Sequence, residues 1–341
     1  MLALRKLALG EARLALCEVP EPLLRPGHVV IDVAAAGICG TDVHILHDEY
    51  RSDPPVTLGH EVAGVVSAVA DDVSGWAIGQ RVVTETYFST CGRCPHCRSG
   101  RPNLCASRRS IGSFEDGGFA AKLLTPATNL HALPDALGFP EAALVEPLAC
   151  VVRGLLELNE LRAGDRVAIT GPGPIGLLAL QVAGAAGART VMLGTSADAA
   201  RLALATSLGA TGTVQVDGGA DPVSAVETLL GGAPDVAIEC SGAAAAGALL
   251  LRLVAKAGRF IQVGLYGRPV ELDIDQVCYK ELRVSGSFAT TPSSWLRALR
   301  LASSGDVSLA AIVGASYPLA EWEAAFAAAQ AGTPGKVLLV P

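Results

Sequence analysis

Positive charge is scarce in this chain: 26 Lys and Arg stand against 33 Asp and Glu, for a formal net charge of -7. That balance leaves no basic footprint for nucleic acid or for an anionic membrane surface. An unbroken apolar run is missing too. The most membrane-like stretch, "GPGPIGLLALQVAGAAGARTVML", is interrupted by prolines, glycines and Arg189, and it reads as a buried helix followed by a buried strand. The N-terminal "MLALRKLALGEARLALCEVP" lacks a continuous apolar core followed by a small-residue cleavage site, so no secretory signal is expected. There is no internal repeat, and no low-complexity tract beyond alanine-rich segments. What remains is a 341-residue globular chain, 50% apolar and 17% charged, long enough for two domains. Nine cysteines, an odd number, without an export signal point to a reducing cytosol and to thiolates as metal ligands.

The two halves differ in texture. Up to about residue 146, Gly, Pro or Asp breaks the chain every eight to twelve positions or so, as in a β-rich domain. Short runs such as "HVVIDVAAAG", "EVAGVVSAVA" and "QRVVTET" lie between the breaks. From "GDRVAITGPGPIG" onward, the apolar strands "RVAIT", "TVML", "TVQV", "DVAIE" and "RFIQV" alternate with Ala/Leu-rich helical stretches. This is the βαβ signature of a parallel, doubly wound sheet. The rhythm breaks again at "TTPSSWLRALRLASSG", and the chain ends in the strand-like "GKVLLV". The expected domains are 1–146 with 291–341, and 147–290.

"VAITGPGPIGLLAL" places Gly171, Gly173 and Gly176, with Pro174 and Ile175 between them, directly after a strand and at the mouth of a helix. The first glycine permits the turn, the second lets the backbone approach a pyrophosphate, and the third allows close helix–strand packing. The helix N-terminus supplies unpaired N–H donors for the phosphates. The next strand should end in an acid to bind the ribose 2′-hydroxyl of NAD, but it ends in Gly194, Thr195 and Ser196. Asp198 comes too late and reads as a helix N-cap. The hydroxyls of Thr195 and Ser196, with Arg201, suit a 2′-phosphate, so the reading is NAD(P) with a lean to NADP.

Cys91, Cys94, Cys97 and Cys105 in "CGRCPHCRSGRPNLC" follow C-x2-C-x2-C-x7-C. Four thiolates fill a tetrahedral zinc shell and leave nothing open for a substrate, so such a site is structural. An Fe–S cluster would use similar ligands, but no redox partner motif accompanies them. His96 reads as a solvated loop residue, and Arg98, Arg101, Arg108 and Arg109 as a solvated face. A second set of donors is dispersed: Cys39 in "GICGTDVHIL", His60 beside Glu61 in "LGHEVAG", and Glu146 in "ALVEPLAC". Taken singly, Cys39 would be a small core residue and His60 a loop histidine. Together, three Cys/His/Glu ligands leave one zinc position open, the layout of a catalytic site.

With "GICGTDVH", "GHEVAGVV", the cysteine cluster, "VEPLA", "GPGPIG" and the closing "GKVLL" in order over essentially the whole chain, the sequence resembles the zinc-dependent medium-chain dehydrogenase/reductase family, in its sorbitol (polyol) and threonine dehydrogenase branch. The resemblance implies an α/β protein with a GroES-like β-rich catalytic domain, a structural zinc lobe near 91–105, and a Rossmann NAD(P)-binding domain. It implies two zinc ions per chain, one catalytic and one structural. Cys39 and His60 become catalytic zinc ligands, with Glu61 and Glu146 supplying or exchanging the remaining protein contact. Thr41 and His44 become a proton relay that includes the cofactor ribose, and Asp42 orients a ligand. The chemistry implied is Lewis-acid activation of the substrate oxygen and hydride transfer to nicotinamide.

The substrate expected from the resemblance is a small secondary alcohol or polyol, and the assembly a cytoplasmic homodimer or homotetramer. The chain departs from the branch at two places. Ala289 in "SGSFATTPSSW" stands where polyol enzymes carry an arginine, and Glu146-Pro147 stands where threonine dehydrogenases carry Asp-Pro. The competing class is a non-catalytic nucleotide-binding protein that keeps a structural zinc. It would have no need of Cys39, Thr41, His44, His60 and Glu146 together.

Overall fold

In the strand His28–Gly37, apolar residues stand side by side rather than alternating, because the strand is covered on both faces. Val29 and Ile31 pack with Val66, Val82 and Leu130. Further along the strand, Val33 and Ala36 join a second core with Leu58, Phe119 and Phe326. Each fully buried Val or Ile contributes about 1.5–3 kcal/mol, so this strand is a strong organiser of the region. It pairs antiparallel with Glu61–Val69 on one side and with Lys336–Val340 at its far end.

The computed structural model describes residues 1–341 and divides them into two units. The first comprises Met1–Glu146, Thr290–Ser303 and Val313–Pro341. Its main sheet runs in the order Leu130–Ala132, Arg81–Thr84, Glu61–Val69, His28–Gly37, Lys336–Val340, Val313–Pro318, with Lys122–Pro126 also paired to His28–Gly37. A smaller sheet joins Leu2–Lys6 to Leu14–Glu18 and Val56–Thr57.

The second unit comprises Pro147–Ala289 and Ser304–Ile312. Six parallel strands lie in the order Gly212–Gln215, Arg189–Gly194, Arg166–Thr170, Val236–Glu239, Arg259–Gln262, Arg283–Gly286. The direction of winding reverses between Arg166–Thr170 and Val236–Glu239, the place where open α/β sheets form a ligand crevice at their C-terminal ends. The β-rich half and the doubly wound half expected from texture are therefore both present.

Two features depart from the sequence reading. Arg283–Gly286 is a sixth strand with no apolar run to announce it, since it is an edge strand with largely exposed side chains. Residues 304–312, read from sequence as part of the first domain, lie in the second unit. There the Gln181 amide donates to Ser308 O at 3.3 Å, and Ser308 N donates to Gln181 Oε1 at 2.8 Å. Val307, Leu309 and Ile312 are buried, but so short an apolar run does not tell from sequence which of the two domains buries it. No helix is long and apolar enough to cross a membrane.

Candidate active site

Strand pairing assembles the dispersed donors. Gly37 lies opposite Glu61 in the antiparallel pair and opposite Leu338 on its other side. The residues that follow Gly37 and the residue that precedes Glu61 therefore meet at one end of the sheet. Cys39 is the N-cap of the helix Gly40–Leu46, where its N–H donates to Asp42 Oδ2 at 2.8 Å. The other Asp42 oxygen accepts from Gly59 N at 3.3 Å and lies 3.7 Å from His60 Nδ1. Asp42 thus ties the Cys39 and His60 loops together.

One ligand atom each from Cys39, His60 and Glu61 lies within 4.8 Å of the others. Glu61 is fully buried; its Oε1 accepts from Lys336 Nζ at 2.6 Å, while its Oε2 has no hydrogen-bond partner. An orphaned buried carboxylate oxygen beside a thiol and an imidazole is a donor set that fits a zinc ion. The electrostatics agree. Burial alone would lower the pKa of His60, but Asp42, Cys39 and Glu146 push it well above its ordinary value. Surroundings that favour a proton so strongly also favour a dication. Asp42 moves up as well, because burial outweighs the opposing pull of His60 and of the Cys39 N–H.

Glu146 is buried in the first turn of the helix Val145–Val152. Its charge acts on His60 and Lys336, but the three-donor cluster contains Glu61 rather than Glu146. Thr41 Oγ1 lies 3.7 Å from Cys39 Sγ. His44 Nδ1 meets Glu49 Oε2 at 2.6 Å; a carboxylate only accepts, so Nδ1 carries the proton and Nε2 is left as the acceptor.

Sequence reasoning missed two residues here. Glu49 carries no motif. Lys336 is almost fully buried and also donates to Ile38 O at 3.2 Å. Burial disfavours its ammonium form, yet the charges of Glu61 and Cys39 hold its pKa above the usual lysine value. The available signal was a single cation in the otherwise apolar strand "KVLLV".

In the cysteine lobe, Sγ–Sγ separations are 3.5 Å for Cys94–Cys97, 3.6 Å for Cys91–Cys105 and 4.0 Å for Cys91–Cys97. A tetrahedron of thiolates around zinc has edges of about 3.8 Å, so the lobe fits that ion. Backbone N–H groups of Arg93 and Cys94 bring the Cys91 thiol down to about 6, whereas burial and its sulfur neighbours take Cys97 up to about 11. All nine cysteines are free thiols. His96, Arg98 and Arg101 are exposed as expected, but Arg108 and Arg109 are not simply solvated. Arg109 pairs with Glu115 at 2.5 Å and Asp53 at 2.9 Å, and the Arg108 guanidinium lies 5.5 Å from the centre of the Tyr87 ring.

The glycine motif lies in the second unit. Gly171 has φ +84°, and a Cβ on it would sit 2.7 Å from Ser241. A Cβ on Gly176 would sit 1.9 Å from Gly171 O, so close approach of helix to turn requires glycine there. Gly173 is the N-cap of Pro174–Ala185 without a side-chain cap, and nothing lies within 4 Å of where its Cβ would be. That helix end, with Ile175 in its first turn, therefore offers free N–H groups and space for an anion.

At the end of the next strand, Thr195 N and Oγ1 donate to Asp198 Oδ2 at 3.0 and 2.9 Å, and Arg201 donates to Asp198 Oδ1 at 3.2 Å. Asp198 serves as the third residue of a capping box rather than as an N-cap through its own side chain. Ser196 N and Oγ donate to Asp217 at 2.8 and 2.7 Å. Asp217, just beyond the neighbouring strand Gly212–Gln215, is a residue the sequence reading did not find.

Fold and sites together define a zinc-binding dehydrogenase. Residues 25–135 match the alcohol dehydrogenase GroES-like domain, and residues 174–304 match the zinc-binding dehydrogenase domain. The chain is 38% identical to the sorbitol dehydrogenase of Halalkalibacterium halodurans, over 100% of this chain and 99% of that one. It is 38% identical to the D-arabitol-phosphate dehydrogenase of Enterococcus avium, over 99% and 97%. A zinc-binding dehydrogenase of Sinorhizobium meliloti, solved with NADP, superposes with a TM-score of 0.89 at 36% identity, covering 100% of this chain and 99% of that one. The chain belongs to the zinc-dependent medium-chain dehydrogenase/reductase family, in its polyol and threonine dehydrogenase branch. It is an oxidoreductase that acts on the CH–OH group of its donor.

Proposed function

We propose that the chain oxidises a small secondary alcohol or polyol, with Cys39, His60 and Glu61 holding a catalytic zinc and Cys91, Cys94, Cys97 and Cys105 a structural one. The observation that carries this reading is the convergence of three donors within 4.8 Å, one of them a buried carboxylate oxygen with no other partner. Zinc bound there supplies Lewis acidity toward an alcohol oxygen. The chain's own residues do the rest. Asp42 holds the Cys39 and His60 loops in register, and Lys336 keeps Glu61 from turning away. Glu146 adds negative charge around His60. Thr41 offers a hydroxyl beside Cys39, and His44, fixed by Glu49, presents Nε2 to receive a proton. The test is metal content and turnover against a panel of secondary alcohols and polyols. About two zincs per chain and reduced-cofactor formation are expected; a zinc-loaded protein that turns over no member of the panel would overturn the reading.

Dinucleotide binding falls to Gly171, Gly173, Pro174, Ile175 and Gly176, with NADP preferred to NAD. Support comes from the strand end Gly194-Thr195-Ser196, which has no carboxylate of its own, from the nearby Arg201, and from the NADP held by the Sinorhizobium meliloti relative. Thr195, Ser196 and Arg201 must turn from Asp198 and Asp217 to take a 2′-phosphate. Tighter binding of NAD than of NADP would reverse this preference.

A homodimer or homotetramer is proposed from the edge strand Arg283–Gly286, where Val284 is 50% exposed and Tyr279 nearby in sequence is 72% exposed. Analytical ultracentrifugation tests it, and a monomer overturns it. A cytoplasmic location is proposed as well, supported by nine cysteines outside any disulfide and a thiolate cluster that suit a reducing compartment.

A further inference from the structure

At the C-terminal ends of three adjacent strands, Thr170, Glu239 and Gln262 stand in register across the sheet. Below them the strands are apolar; Val236, Ala237 and Ile238 are fully buried. Glu239 is fully buried as well. A buried carboxylate is costly unless its lone pairs are met, and an apolar residue would fill the same volume without that cost. Neutral donors meet this one from several sides. Glu239 Oε1 accepts from Ser241 N at 2.7 Å, from the Ser241 hydroxyl, and from Thr170 Oγ1 at 3.4 Å. Glu239 Oε2 accepts from Gln262 Nε2 at 2.8 Å, and Gly242 N lies 3.1 Å from both oxygens.

The turn so gathered is the one against which the phosphate-binding motif packs. Ser241 N and Cα lie 2.7 Å from where a Cβ on Gly171 would be. The third turn closes in the same way: a Cβ on Gly264 would lie 2.6 Å from both Glu239 Oε2 and Gly242 N. Three strand-end turns therefore meet around one carboxylate, at the point where the winding of the sheet reverses.

We propose that Glu239 is a positioning residue of the dinucleotide site: it locks the Cys240–Gly242 turn in the place that fixes the Gly171 turn. The proposal rests on reading Gly171–Gly176 as the dinucleotide site. A carboxylate only accepts, so all of these N–H and O–H groups can point at it, whereas a glutamine would turn an amide NH2 toward some of them.

The test uses full-length, zinc-loaded protein and measures Kd for NAD and NADP by titration calorimetry, together with cofactor KM and kcat. In Glu239→Gln, Kd and cofactor KM rise about tenfold or more, while kcat at saturating cofactor stays within about twofold, as loss of a positioning contact requires. A merely structural role would reduce the folded fraction and leave the Kd of the folded molecules unchanged, and that result overturns the proposal. Should Glu239→Gln fail to fold, Ser241→Ala and Gln262→Leu, which remove donors and keep the acid, decide. A rise in Kd of about threefold or more supports it, and unchanged Kd in both overturns it. If the wild type binds neither dinucleotide, the site assignment itself fails, an outcome distinct from wild-type binding with unaffected variants.

Discussion

The lobe of Cys91, Cys94, Cys97 and Cys105 draws all its ligands from one short loop, whereas Cys39, His60 and Glu61 come from the ends of two paired strands. The difference extends to charge. In the loop cluster two thiols are driven apart in acidity: backbone N–H groups of Arg93 and Cys94 bring Cys91 down to about 6, while burial and the neighbouring Cys94 thiol take Cys97 up to about 11. The strand-end cluster has a cation built in, since Lys336 neutralises Glu61 from within the core. If both clusters hold zinc as proposed, the closed one, without a counter-charge of its own, should need its metal in order to be folded, while the open one should keep its shape when the metal leaves.

The widest separation between the two clusters should come from single-ligand changes. Cys39→Ser should lower kcat about a thousandfold, the worth of several kcal/mol of Lewis-acid stabilisation, with little change in thermal midpoint. Cys94→Ser should lower the midpoint by about 5 °C or more and promote aggregation, while the molecules that remain folded keep their turnover. Differential scanning fluorimetry beside steady-state kinetics reads both quantities, and equal folding defects in the two variants would break the comparison.

Lys336→Met tests the built-in cation. Without Lys336, both oxygens of Glu61 are buried with no partner, a loss of about 3–5 kcal/mol in zinc-free protein. With zinc loaded, a Glu61 oxygen has the ion to meet, so the loss should shrink. Urea unfolding of the variant and the wild type, with and without zinc, measures the difference. An identical loss in both states would mean that Glu61 and the metal do not share a site.

These contrasts also mark what could be read before folding. Ligands close together in sequence announce themselves, as Cys91 to Cys105 do by spacing alone. Cys39 and His60 look ordinary singly and became candidate ligands only when taken together with Glu146 and through an ordered resemblance. Lys336 was invisible for a physical reason: its partner lies 275 residues away, and only the strand order brings Lys336–Val340 beside His28–Gly37. Asp217 escaped notice similarly, because it belongs to the end of a neighbouring strand rather than to the one searched for an acid. The doubly wound half was legible because buried parallel strands are apolar throughout, while its exposed edge strand Arg283–Gly286 had no such pattern.

A third contrast concerns metal removal. In stripped protein, Cys91 is depressed from 9.0 to about 6, so its stabilising contribution is complete above pH 9.0 and is lost as the pH falls through about 6. Cys97 has the opposite sign: raised to about 11, it contributes fully below pH 9.0 and loses that contribution as the pH rises through about 11. At pH 7, iodoacetamide should therefore label Cys91 well ahead of Cys97 in stripped protein, and added zinc should protect both. Peptide mapping by mass spectrometry reads the order, and equal labelling rates would contradict the spread in acidity.

The smallest effect is expected where the open site reaches solvent. The His44–Glu49 pair is short, at 2.6 Å, but its side chains are 27% and 48% exposed, so water and salt screen much of it. What Glu49 supplies is the choice of tautomer: by accepting from Nδ1 it leaves Nε2 free to take a proton. Glu49→Gln keeps an acceptor but adds a competing NH2, so some molecules will present the wrong nitrogen. Losing the preference of one such hydrogen bond is worth about 1 kcal/mol, which places the fall in kcat for alcohol oxidation at about fivefold. Cofactor Kd should be unchanged, because no nucleotide-binding residue is touched, and Glu49→Asp should recover part of the rate. A fall in kcat as large as that of Cys39→Ser would place Glu49 in the support of the metal cluster itself and erase the boundary between ligand and relay.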